Sequence, residues 1–134
     1  MGKSLIQTVN QSSQVVAANS IIDLGSVIRR FGWNLRLNGN AVEVSGEGYY
    51  KIDCNVTLAP TAAGTVTVAV YKNGVALTGA TASGSVTTAG NPVTLPLQTT
   101  IREGCGCDGG TALTVVLVSG ASTVSNVALR VEKA

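Results

Sequence analysis

The chain has 134 residues, 45% of them hydrophobic and only 12% charged, with a net charge of +2. That length holds one hydrophobic core and leaves no room for a second domain, while so few charges leave a neutral surface of Thr, Ser, Asn and Gly. Apart from Arg29-Arg30 there is no basic cluster to steer the chain to nucleic acid or an anionic membrane, so neither partner is expected.

Met1-Gly2-Lys3-Ser4-Leu5-Ile6 turns polar at Gln7, too short an apolar stretch for a secretory signal. The expectation is synthesis in a bacterial cytoplasm with no signal peptide. No segment reaches the roughly 18 to 20 continuous apolar residues of a membrane span, and no membrane insertion is expected. Residues 1–19 read as a strand or arm leading into the domain, and 20–134 as the domain itself. Short strands are predicted at Leu5–Val9, Ser20–Leu24, Val27–Arg30, Trp33–Leu37 and Ala41–Val44. Asn38-Gly39-Asn40 is a tight-turn signal that joins the last two as a hairpin. Arg29-Arg30-Phe31-Gly32-Trp33 mixes cations with aromatics and could stack on sugar rings or bases. The favoured reading places Phe31 and Trp33 in the core or at a subunit contact, with the arginines solvated or paired across an interface.

The clearest strand runs from Tyr49 to Leu58. Tyr50, Ile52, Cys54, Val56 and Leu58 share one face, and Lys51, Asp53, Asn55 and Thr57 the other. After a loop at 59–64, Thr65–Lys72 alternates with Val66, Val68 and Val70 inward. Asn73-Gly74 is a type I′ hairpin signal, because that turn needs positive φ at both central residues, and Val75-Ala76-Leu77 should run back antiparallel. Gly79–Ser85 reads as an exposed strand or loop. Beyond Gly90-Asn91-Pro92 lie strands at Val93–Arg102, Ala112–Ser119 and Val124–Glu132. In Ala112–Ser119, Leu113, Val115 and Leu117 oppose Val116 and Val118, so both faces should be covered, by a loop of the same chain or by a neighbouring subunit. Many short strands with Gly/Asn turns and no helical periodicity define an all-β sandwich or barrel.

Three cysteines, Cys54, Cys105 and Cys107, cannot all pair within one chain. Cys105-Gly106-Cys107 invites a metal reading, yet the chain has no histidine and would need Asp108 as a fourth ligand. No metal and no cofactor are expected, and the favoured reading is a tight reduced turn. Catalysis fares no better: there are few carboxylates and no nucleophile elbow or phosphate loop, and Glu47 and Asp53 read as solvated rather than as a catalytic pair. No catalytic residue is assigned.

Gly48-Tyr49-Tyr50-Lys51-Ile52, then Val68-Ala69-Val70-Tyr71-Lys72-Asn73-Gly74, and a closing apolar terminal strand resemble the jelly roll of tumour necrosis factor and the complement globular head. Over residues 20–134 the pattern is similar to bacterial and phage-borne members of that superfamily. The resemblance implies a two-sheet jelly-roll sandwich of about ten strands and a threefold homotrimer. A structural protein of a phage virion follows as the expected role, such as a head fibre, decoration or tail-associated protein, located on the virion or particle surface. A carbohydrate-binding or host-adhesion module and a bacterial spore-surface domain are the alternatives. Expected partners are further copies of the chain, with other virion or cell-surface proteins or a glycan beside them. Phe31, Trp33, Tyr49 and Tyr71 are the candidate ligand or interface contacts.

Overall fold

The computed structural model describes residues 4–32, 34–103 and 111–133. Its strands are β1 (Leu5–Asn10), β2 (Gln14–Val16), β3 (Ser20–Ile21), β4 (Ser26–Phe31), β5 (Leu35–Asn38), β6 (Ala41–Val44), β7 (Gly48–Pro60), β8 (Gly64–Lys72), β9 (Val75–Val86), β10 (Val93–Glu103), β11 (Thr111–Ser119) and β12 (Ser122–Lys133). The first sheet runs β10-β7-β12-β1-β4, with β2 also on β12; the second runs β5-β6-β11-β8-β9, with β3 also on β11. From β9 onward the chain alternates between the sheets, β9 to β10 to β11 to β12, which is how a jelly roll closes two sheets over one core.

Side-chain alternation explains why these segments are strands. Along β7, Tyr50, Ile52, Cys54, Val56 and Leu58 are buried while Lys51 and Asn55 face out. They meet Val66, Val68 and Val70 of β8 and Leu113, Val115 and Leu117 of β11 in a single core. Each such fully buried aliphatic side chain contributes about 1.5–3 kcal/mol of transfer free energy. Asn73 (φ 51°) and Gly74 (φ 84°) make the turn expected between β8 and β9. The Asn73 side chain also pins that turn to β11, its Oδ1 accepting from the Ala112 amide at 2.9 Å.

Several expectations change. The first 19 residues supply β1 and β2, and β1 lies inside the first sheet between β12 and β4. The strand expected over Ser20–Leu24 stops at Ile21, although Ile22 and Leu24 are fully buried. Side chains take over the backbone partners there: Asn10 and Gln14 both donate to the Asp23 carbonyl, and Gln14 accepts from the Asp23 amide. The segment left as strand or loop over Gly79–Ser85 belongs to β9, which is interrupted by a bulge. Ala76 pairs with Tyr71 and Thr81 with Ala69, so Leu77 to Ala80 face Val70 alone. On the outer face of β11, Val116 is 7% exposed, in register between Ile21 and Ala69, while Val118 beyond it is half-buried.

One end of the sandwich is tied by a buried tyrosine. The Tyr50 hydroxyl accepts from Asn34 Nδ2 at 2.7 Å and lies 3.0 Å from the carbonyl oxygens of Ser45 and Gly46. Burial pushes its pKa up, with the Asn34 hydrogen bond opposing. Beside it Gly32 (φ +92°) comes so close to Ser4 that a Cβ would collide with the Ser4 side chain.

Candidate functional site

On the outer face of the first sheet the register sets side chains in rows. One row is Phe31, Leu5, Glu132, Lys51 and Thr100, carried by β4, β1, β12, β7 and β10 in turn. The next is Arg29, Gln7, Arg130, Asp53 and Gln98. Arg130 Nη2 lies 3.2 Å from both Asp53 Oδ2 and Glu132 Oε1, so one guanidinium holds two carboxylates. With Lys51, Gln98 and Thr100 these three side chains line a shallow, open concavity of about 350 Å³. Tyr49, paired with Arg102, stands one row beyond Lys51 on the same face.

The two flanks of the sandwich differ in chemistry. On one, all six residues of β4 are exposed, and Val27, Ile28 and Phe31 are among the large apolar side chains facing solvent. Arg29 and Arg30 bond to carbonyls there, Arg29 Nη1 to Ile28 and Arg30 Nε to Leu35 at 2.6 Å. No carboxylate pairs with either among the described residues. The opposite flank, β9 and β10, is sparsely charged: from Asn73 to Ile101 the chain has no Lys, Arg, Asp or Glu, and only the end of β10 carries charge, at exposed Arg102 and buried Glu103. Hydroxyl pairs stud the strands beside it, Thr67 with Ser83 at 2.9 Å, Thr57 with Thr94 at 3.0 Å and Thr65 with Ser85 at 3.2 Å.

Every sheet edge is interrupted. Pro96 removes an amide from β10. The bulge breaks β9, the extra residue Ile28 breaks β4 against β1, and β5 has only four residues. Backbone-to-backbone extension of either sheet is therefore disfavoured, and contact with other molecules falls to side chains.

The four residues singled out in the sequence do not form one pocket. Phe31 is 54% exposed on β4, outside the core, and Tyr49 is 56% exposed on β7. They share the outer face of the first sheet, but β1 and β12 lie between their strands. Tyr71 is half-buried on β8 in the second sheet, and Trp33 lies outside the described residues. Gln98, Arg130 and Glu132 were not singled out, because only the register brings them beside Asp53. The uncharged stretch from Asn73 to Ile101 was legible as such and would have marked the second flank.

Cys54 is a free, buried thiol pushed up to about 12 by burial, which leaves it un-ionised at neutral pH and a poor nucleophile. Cys105 and Cys107 lie outside the described residues. Glu103 is buried at the end of β10, where the Thr111 hydroxyl lies 2.5 and 2.8 Å from its two oxygens. No group of three potential metal ligands occurs among the described residues.

No family model matches the chain, and no curated protein matches it. Solved structures do. Murine APRIL superposes with a TM-score of 0.77 at 16% identity over 99% of this chain and 100% of that one. Eiger TNF from S. frugiperda gives 0.70 at 12% identity over 98% and 91%. The globular domain of zebrafish complement 1qA gives 0.72 at 6% identity over 96% and 94%. The PRD1 vertex protein P5 is more distant, with a TM-score of 0.54 at 11% identity over 97% and 96%. The fold is thus the two-sheet jelly roll of tumour necrosis factor and the complement globular head.

Proposed function

We propose that the chain is a non-enzymatic structural protein that assembles as a homotrimer on a particle surface. The carrying observation is the pair of unlike flanks. One presents exposed Val27, Ile28 and Phe31 beside two arginines with no carboxylate partner among the described residues; the other is uncharged from Asn73 to Ile101 and rich in small hydroxyl side chains. Flanks this different favour head-to-tail packing, in which the β4 side of one copy meets the β9/β10 side of the next. Such a contact is heterologous and must close into a ring or run on as a filament. A ring of three is the closed form implied by the family resemblance. The exposed aliphatic and aromatic groups of β4 would supply the apolar centre of the contact, and the uncharged flank would receive them without burying an unpaired charge.

Within this reading the role is a phage virion component, such as a head fibre, decoration or tail-associated protein. Its support is the likeness to the PRD1 vertex protein P5, together with a weakly charged, hydroxyl-rich surface. A spore-surface role would use the same trimer in another setting. Light scattering coupled to size-exclusion chromatography tests the assembly. Three times the 13.5 kDa chain mass is expected, and a monomer at micromolar concentration overturns it. Mass spectrometry of purified particles then tests the location.

A further inference from the structure

We propose that Asn38-Gly39, at the tip of the β5–β6 hairpin, is a site of spontaneous covalent modification, where Asn38 converts through a cyclic imide to aspartate and isoaspartate. The chain's second Asn-Gly pair, Asn73-Gly74, is spared. Water is the only co-reactant. The Gly39 amide nitrogen bonds to the Asn38 side-chain carbonyl carbon and gives up its proton, while Nδ2 gains a proton and leaves as ammonia. Water then adds to one of the two carbonyls of the resulting five-membered imide. Opening on one side gives aspartate, and opening on the other gives isoaspartate. Glycine in second place lets the nitrogen be reached, because it has no Cβ to crowd the attack.

Both pairs carry the reactive sequence and both are exposed, so their surroundings decide between them. Asn73 is held at two points: its amide donates to the Ala112 carbonyl at 2.9 Å, and its Oδ1 accepts from the Ala112 amide at 2.9 Å. Its side-chain carbonyl is therefore committed to β11 and reaches Gly74 only after that tie opens. Asn38 bonds instead through Nδ2, at 3.0 Å, to the side chain of Glu43. The Gly39 amide donates to no backbone acceptor among the described residues. Gly39 has φ +62°, and nothing lies within 4 Å of where its Cβ would stand, so the hairpin tip has room to bend into the ring.

The partners of Asn38 determine what conversion does. Glu43 accepts from Asn38 through Oε2 and from Arg36 Nε through Oε1 at 2.7 Å. These two bonds, that of Asn38 first, hold the Glu43 carboxyl below its usual range. Aspartate at position 38 puts a like charge where Glu43 had a donor, and each event removes one unit from the net charge of +2. Isoaspartate routes the main chain through its own Cβ, at the residue that pairs with Ala41 and ends the four-residue β5. Either product loosens the hairpin at that edge of the second sheet.

The test is peptide mapping by mass spectrometry after the full chain is held at mildly alkaline pH and physiological temperature, with electron-transfer fragmentation to separate isoaspartate from aspartate. Asn38 should convert at least about tenfold faster than Asn73, the factor expected if the two Ala112 bonds must open first. In denaturant the two rates should converge, because the fold alone distinguishes the sites. Asn38→Gln keeps a donor for Glu43 but would need a six-membered ring, and it should abolish the acidic species while leaving the circular dichroism spectrum unchanged. Equal rates at the two sites in the folded chain overturn the proposal. So does an unreacted Asn38 over a period in which the unfolded chain converts at both sites, or an acidic species that persists in Asn38→Gln.

Discussion

The β4 flank and the β9/β10 flank belong to the same two sheets, yet they solve the problem of a sheet edge by different chemistry. β4 stays exposed along all six residues and keeps apolar side chains in water beside Arg29 and Arg30. β9 and β10 carry no charge until Arg102 and Glu103 at the end of β10, and present hydroxyl pairs, a proline and a bulge. A protein meant to stay alone would gain most from placing charges at both edges. Leaving one edge apolar and cationic and the other uncharged over most of its length makes the edges unlike each other, and two unlike surfaces on one chain are what head-to-tail association uses.

The comparison presumes a single rigid sandwich between the flanks, and the largest expected effect checks that premise. The Cys54 thiol has a pKa raised from 9.0 to about 12 by burial, so the folded state holds its proton more tightly than the unfolded chain. The stability this provides is complete below about pH 9 and is lost as pH climbs toward 12, up to about 4 kcal/mol for three units. Thermal melts should therefore show a falling Tm over that window. Cys54→Val, of similar volume and with no proton to lose, should show a shallower fall. Equal slopes in the two proteins would mean that strand β7 opens before the flanks do.

Next in size is Phe31→Asp on β4, which places a charge at the centre of the proposed contact. Association should weaken at least about 100-fold, roughly 3 kcal/mol, while the circular dichroism spectrum is unchanged because Phe31 lies outside the core. On the opposite flank Ser83→Lys adds a charge to the uncharged stretch from Asn73 to Ile101 and should weaken association about tenfold. If only one of these variants lowers the mass seen by light scattering, the contact joins like flanks instead of unlike ones.

How much of this could be read from the chain depended on the range of the interaction that decides it. Strict alternation in Tyr50–Leu58 and Val66–Val70 and the Asn73-Gly74 turn are local signals, and β7, β8 and the turn between them follow. Where long-range partners decide, the reading fails. Ser20–Leu24 looks like a strand, but the side chains of Asn10 and Gln14 take the backbone groups of Asp23, and the strand ends early. Val116 is expected under a loop of the same chain or a neighbouring subunit; which residues flank it, Ile21 and Ala69, is settled only by the register. Phe31 reads as core or subunit contact, and the edge position of β4, which leaves it 54% exposed, removes the first of the two. The concavity is the extreme case: Asp53, Gln98 and Arg130 are far apart in sequence, and no local pattern announces a row that exists only once three strands are paired.

The smallest expected effect separates what that row does for folding from what it does for assembly. Arg130 bridges Asp53 and Glu132 at 3.2 Å, but all three side chains are more than a third exposed. Water and salt screen such pairs, and their contribution to stability is under about 1 kcal/mol. Arg130→Gln should therefore move the denaturant midpoint only slightly. The inward neighbours Leu129 and Val131 are fully buried, and truncating either to Ala should cost several times more. A large loss on Arg130→Gln would mean that the outer face of the first sheet is buried in the assembly, which would move the subunit contact from the flanks onto that face.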